Sequence, residues 1–207
     1  MKTRMIYWVP VAALLICCTR QDVIKTGVSS PYFEGTIMEY LRSDLYNWEH
    51  TVKAIEHAGL TDLFEGEDTE AREITFFGVT SYSVQRFVWN NRREEITDFP
   101  KEQVRALLLK HVVKGKYLKK DIAYRDPSFL IMDEKQTGGT EFTCMGGNKV
   151  RAYVDKSSYE GVPDAGAEIL RLYSISAMTT VPMASPDIQP RNGVVHALNY
   201  NYEFGNI

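Results

Sequence analysis

The order of its periodicities constrains this chain most. From about Thr36 to Gly115, apolar residues recur at helical spacing. One β-branched and aromatic run, ITFFGVTSY from Ile74 to Tyr82, interrupts that half. After Tyr117 the apolar residues read as short strands broken by glycine pairs and asparagine. Helices early, strands late and one strand interposed predict an α+β domain. Ile37, Met38, Leu41 and Leu45 form one helical stripe; Trp48, Val52, Ile55 and Ala58 form another. Asp44 or Asn47 is placed to cap the second, and Gly59 to stop it. LTDLFEGED reads as a turn. Thr80-Ser81 opens a helix with Val84, Phe87 and Val88 on its apolar face and Trp89 as a further candidate for it. A further helix starts near Pro100, carries Val104, Leu107, Leu108 and His111, and closes at Gly115. FLIMDE, EFTCMGGNKVRAYV and AEILRLYSISAM are expected strands, and Gly146-Gly147-Asn148 is a hairpin turn. The proline-rich segment VPMASPDIQPRNG is expected to be loop.

The opening residues follow a different pattern. Lys2 and Arg4 precede an apolar run from Met5 to Cys18. As a helix this run spans only about 21 Å, short of a hydrocarbon core of roughly 30 Å. Positive, then apolar, then small or polar is the order of an export signal. LLICC resembles the lipobox of bacterial lipoproteins, with Cys18 the better candidate for lipidation and Cys17 the alternative. The expected division is 1–17 signal peptide, 18–35 lipid-anchored tether and 36–207 folded body. Removing residues 1–17 takes away Lys2 and Arg4 and no acid, moving the formal charge from -3 to -5. Cys144 is then the one cysteine outside the anchor region, so no internal disulfide framework forms.

Composition excludes some functions. The 24 Lys+Arg are outnumbered by 27 Asp+Glu, so no basic footprint for nucleic acid exists. No phosphate-binding glycine loop, HExxH helix or nucleophile elbow is present. His50 and His57 share a helix face without a suitably spaced third ligand. The acids Asp62, Glu65, Glu67, Asp68 and Glu70 lack the alternation of a calcium loop and read as a solvated turn. No catalytic residue, metal site or cofactor is assigned. Two surface features remain. Lys110, Lys114, Lys116, Lys119 and Lys120, with Tyr117 among them, form the one basic concentration, read as a plain lysine-rich surface with an anionic glycan or headgroup as the alternative contact. Tyr153, Tyr159, Tyr173, Tyr200 and Tyr202 supply aromatic surface or cross-strand packing.

Three ordered segments resemble one family. ITFFGVTSYSVQRF, with Phe76, Phe77, Thr80 and Phe87, is similar to the first signature of fasciclin-like domains. VRALLLKHVVKGKY, with His111 and Gly115, resembles their Leu-rich helix and His-Val-Val segment. NGVVHALNYNYEF, with Asn192, Gly193 and His196, resembles their second signature. AIEHAGLTDLF is similar to their opening helices. Gly78-Val79 stands where members commonly have Ala-Pro, and Ser81 where they have Asn or Asp. Leu109-Lys110 precedes His111, so the family's Tyr-His adhesion feature is not carried over.

The resemblance implies a single fasciclin-like domain, N-terminal helices against a mixed β-sheet wedge, that binds without catalysing. Joined to the leader, it implies a lipoprotein of the cell envelope, expected at the outer membrane of a Gram-negative bacterium. The membrane would hold it through its lipid, and the partner would be an envelope or extracellular protein or glycan. The alternative is a structural accessory subunit of an envelope assembly or glycan-uptake system. An enzyme is the remaining reading, without a residue constellation to support it.

Overall fold

The body enters its first helix through Thr36. The Thr36 side chain accepts from the Glu39 N–H, and the Glu39 carboxylate accepts from the Thr36 N–H, closing a reciprocal cap. These belong to a computed structural model that describes residues 30–207. The expected signal peptide at 1–17, the candidate lipidation sites Cys17 and Cys18, and residues up to 29 lie outside the described residues. Pro31–Ile207 forms one compact unit. Residues 31–35, read as tether, are tied to the body: Gln189 N–H donates to Pro31 O, Phe33 N–H to Gln189 O, and Arg191 N–H to Gly35 O.

Helix α1 (Ile37–Ser43) buries Ile37, Met38 and Leu41. Asp44 ends it and caps α2 (Leu45–His57), accepting from the Asn47 side-chain amide at 2.7 Å. Helix α2 buries Trp48, Thr51, Val52, Ala54 and Ile55 and stops where Gly59 turns to φ +63. The LTDLFEGED segment, read as a turn, contains helix α3 (Thr61–Glu65). Five residues are too few to hold a helix alone. Leu63 and Phe64, 3% and 0% exposed, hold this one through the core.

Strand β1 (Ile74–Gly78) is buried at every position, as a run without polar alternation requires. Helix α4 (Ser81–Asn90) follows, burying Val84 and Val88 and leaving Trp89 exposed. Helix α5 (Lys101–Leu109) starts after Pro100. It ends sooner than its apolar stripe implies, because Val112 and Val113 leave it for strand β2 (Val112–Lys114), opposite Phe76 and Thr75.

The remaining strands are β3 (Thr140–Thr143), β4 (Lys149–Lys156), β5 (Glu168–Ser174), β6 (Thr179–Ile188) and β7 (Gly193–Leu198). The sheet order is β2-β1-β7-β6-β5-β4-β3. β1 and β7 run parallel and the other pairs antiparallel. The expected β3–β4 hairpin is present, with Gly147 at φ +84.

Two readings are corrected. FLIMDE is a series of turns, organised by buried Gln136. The Gln136 amide accepts from Asp126 N–H and Gly138 N–H and donates to Phe129 O, and the backbone between them closes local turns, Asp133 N–H donating to Leu130 O and Gln136 N–H to Asp133 O. VPMASPDIQPRNG supplies most of β6, not a loop. Its prolines sit where the ladder changes. Pro182 is the last partner of β5 before Met183 joins β7, and Pro186 lies in the irregular stretch between Ser185 and Ile188. Proline is tolerated at such breaks because no ladder donor is required there. β6 thereby hands the sheet from one half to the other and creates the wedge.

Helix α2 packs against α1, α4 and α5, and α1 reaches β7. The core runs continuously from these helices into both halves of the sheet. Phe76 and Phe77 each contribute about 2–3 kcal/mol by burial. Gly193 is required at the β1–β7 contact, since a Cβ there would overlap the Ile74 carbonyl oxygen.

Candidate functional site

A buried imidazole needs partners for both ring nitrogens. His111, fully buried after α5, has them: Nδ1–H donates to Leu107 O at 2.8 Å, and Nε2 accepts from the Tyr202 hydroxyl at 2.7 Å. Burial lowers the His111 pKa to about 4 and raises that of Tyr202. His196 is also fully buried. Its Nε2–H donates to Tyr117 O at 3.0 Å and its Nδ1 accepts from Asp187 N–H at 3.1 Å. Burial lowers its pKa against the opposing pull of the Asp187 carboxylate, 4.0 Å away. Neutral, paired and enclosed, neither histidine reaches a surface where it could exchange a proton with a substrate.

The other signature residues are joined to the same frame. Asn192 accepts from Ile37 N–H at 2.7 Å and donates to Phe64 O at 3.0 Å, linking α1, α3 and the start of β7. Gly115, at φ +96, accepts from the Thr75 hydroxyl, which itself accepts from Tyr117 N–H. Phe76 meets Phe64 edge-on at 4.9 Å, and Phe77 stacks on His196 at 6.0 Å. Phe87 is half-buried between Phe99 and Phe204. Thr80 occupies the N-cap of α4 without a side-chain bond to the helix backbone.

The lysines are drawn to separate partners. Lys110 Nζ lies 3.5 Å from Gly205 O, Lys114 Nζ 3.6 Å from Glu70, and Lys119 Nζ 3.2 Å from Glu168. Lys116 is exposed, and Tyr117 packs its ring 4.8 Å from Phe142. Of the singled-out tyrosines, Tyr153, Tyr173 and Tyr202 are core residues, whereas Tyr159 and Tyr200 are exposed. His57 bonds Phe99 O, and Glu65 bonds Arg42. Burial pushes the Cys144 thiol up to about 12, which leaves it unreactive near neutrality. Among the described residues no group of three or more His, Cys, Asp or Glu is placed to hold a metal ion.

The accessible feature is a groove between the first turns of α2 and α4. Asp44 starts α2 so that Leu45 and Tyr46 face away from the core, 53% and 92% exposed. The extended Thr80 turns the chain from β1 into α4 and puts Tyr82 outward. The turn after β7 brings up Tyr200, whose ring meets Tyr82 edge-on at 6.2 Å. These residues enclose a hollow of about 510 Å³, with Asn47 and Gln85 among its walls. A second hollow of about 340 Å³ shares Asn47, Thr80 and Tyr200 with the first and continues toward β6. The floor is rigid: His50 N–H donates to Ser81 Oγ, Thr51 Oγ1 to Val79 O, and Ser83 Oγ to Tyr200 O. Arg86 holds the Tyr200 turn by donating to the carbonyls of Asn201 and Tyr202. Sequence reading singled out Tyr200 but not Tyr46 or Tyr82. The signal for them was available as large aromatics lying off the core stripe of an amphipathic helix.

Such a surface can bind, since aromatic rings supply area at low entropic cost and amides supply direction. Residues 47–200 match the family described as fasciclin domain. A fasciclin domain pair from the insect cell adhesion molecule fasciclin I aligns at 10% identity and a TM-score of 0.44, covering 79% of this chain and 44% of that one. The chain thus spans less than half of that structure. No curated protein matches it. With most of its length inside the family match, the chain belongs to the fasciclin domain family.

Proposed function

We propose that the protein is a lipid-anchored adhesion domain of the cell envelope that captures another macromolecule in the groove between α2 and α4. The observation that carries this reading is Tyr46, Tyr82 and Tyr200 exposed together on a floor fixed by hydrogen bonds. Family membership supports binding without chemistry. The leader pattern, with Cys18 at its end, supports attachment through lipid to an outer membrane.

The test is retention of the full-length protein, extracted in mild detergent, on fragments of its native envelope. The wild type is retained. A Tyr46→Ala, Tyr82→Ala, Tyr200→Ala triple variant of unchanged melting temperature is not. Equal retention of the two would remove the groove from the binding function.

A further inference from the structure

The geometry points to an uncharged glycan chain as the ligand of the α2–α4 groove, held by stacking on Tyr46, Tyr82 and Tyr200 and oriented by the Asn47 and Gln85 amides. This rests on the groove being the binding surface.

Four observations select this ligand class. The first is the kind of surface. The three phenol hydroxyls and the Gln85 amide make no hydrogen bond among the described residues, so one hollow offers both aromatic rings and uncommitted polar groups. A sugar ring needs that combination: its C–H face packs on an aromatic ring while its hydroxyls find donors and acceptors at the edge. A purely apolar peptide face would leave these polar groups unpaired, at a cost in affinity.

The second is charge. Glu49 is the single carboxylate lining the first hollow, and its carboxylate is already paired with Lys53 at 3.0 Å. The one arginine nearby, Arg86, is engaged by two carbonyls behind the Tyr200 turn and lies 5.8 Å from the Tyr82 ring. None of the lysines at positions 110–119 lines either hollow, and Lys110, Lys114 and Lys119 are drawn to other partners. The groove therefore offers little free cation to an acidic polysaccharide or phosphate.

The third is shape. The two hollows, about 510 and 340 Å³, share Asn47, Thr80 and Tyr200 as lining residues. Adjacent hollows of that size have room for more than one sugar ring. The fourth lies across the Tyr200 turn. A third hollow of about 620 Å³ is walled mainly by Asn90, Asn199, Asn201 and Asn206 with Thr179 and Thr180, and carries one charge of each sign, Arg86 and Glu203. Amides and hydroxyls in that density, next to the tyrosines, extend the surface with groups matched to sugar hydroxyls.

The probes are soluble neutral polysaccharides (a glucan, a mannan and a fructan) with alginate as the acidic control, measured by affinity electrophoresis and calorimetry of the full-length protein in detergent. At least one neutral polysaccharide should bind, with affinity unchanged within a factor of about two between 50 mM and 500 mM salt. Tyr82→Ala and Tyr200→Ala should each weaken it by roughly fivefold or more. Tyr200→Phe should retain most of the affinity, because the ring face remains. These side chains are exposed, so the variants keep their melting temperature. Binding confined to alginate and lost at high salt would overturn the inference. So would neutral-glycan binding that survives both alanine variants, or no binding to any neutral probe. If envelope retention depends on the three tyrosines while no neutral glycan binds or competes, the groove remains the binding surface and its ligand is a protein.

Discussion

The Asn192 side chain accepts a hydrogen bond from the backbone N–H of Ile37, 155 residues earlier in the chain. That bond caps α1 from the far end of the sequence, while the amide of the same side chain satisfies the Phe64 carbonyl. Asn192→Ala leaves both backbone groups unpaired in a buried place. It should destabilise the domain by about 3 kcal/mol, two unsatisfied groups at 1–3 kcal/mol each less relaxation. Urea unfolding monitored by tryptophan fluorescence measures it, and a loss below about 1 kcal/mol would show that Asn192 does not organise this junction.

Two buried histidines make the domain sensitive to mild acid. His111 takes its proton near pH 6.5 when unfolded but only near pH 4 when folded, because burial disfavours the imidazolium. Its stabilisation is thus fully present above about pH 6.5 and is lost as the pH falls toward 4, by up to about 3 kcal/mol. His196 is shifted in the same direction and adds to the decline. Unfolding free energy followed from pH 7 to pH 5 should fall before most carboxylates titrate. His111→Gln should start lower and decline less steeply, and an identical slope in the two proteins would assign the acid sensitivity to other groups.

The anchor has its own test. Metabolic labelling with a fatty acid should mark the wild type and fail in Cys18→Ala, which should leave the membrane fraction. Labelling that persists in Cys18→Ala and disappears in Cys17→Ala would move the modified residue by one position.

Much of the fold was legible because local and tertiary preferences agree. The stripe of Ile37, Met38 and Leu41 faces the core it implied, and Asp44 caps the helix it precedes. The failures share one cause, tertiary context overriding a local signal. Pro182 and Pro186 read as loop until β6 is seen to change partners between β5 and β7 at those positions. Leu130 and Met132 read as strand but stand exposed, 68% and 55%, because Gln136 claims the nearby backbone. The resemblance located His111, Asn192 and His196, but most of the hydrogen bonds that define their places span 79 to 155 residues, the exceptions being His111 to Leu107 and Asp187 to His196. The groove was only partly visible. Tyr46, Tyr82 and Tyr200 come from three segments, and nothing in their spacing says that two helix starts and a turn converge.

Site-specific photo-crosslinking on living cells tests the central claim most directly. A benzophenone amino acid is placed at Tyr46 or Tyr82 in the groove, or at Trp89, which is 57% exposed near the other end of α4. The groove positions are predicted to capture an envelope macromolecule and Trp89 to capture none. Equal capture at all three positions, or capture at Trp89 alone, would contradict a binding function seated between α2 and α4.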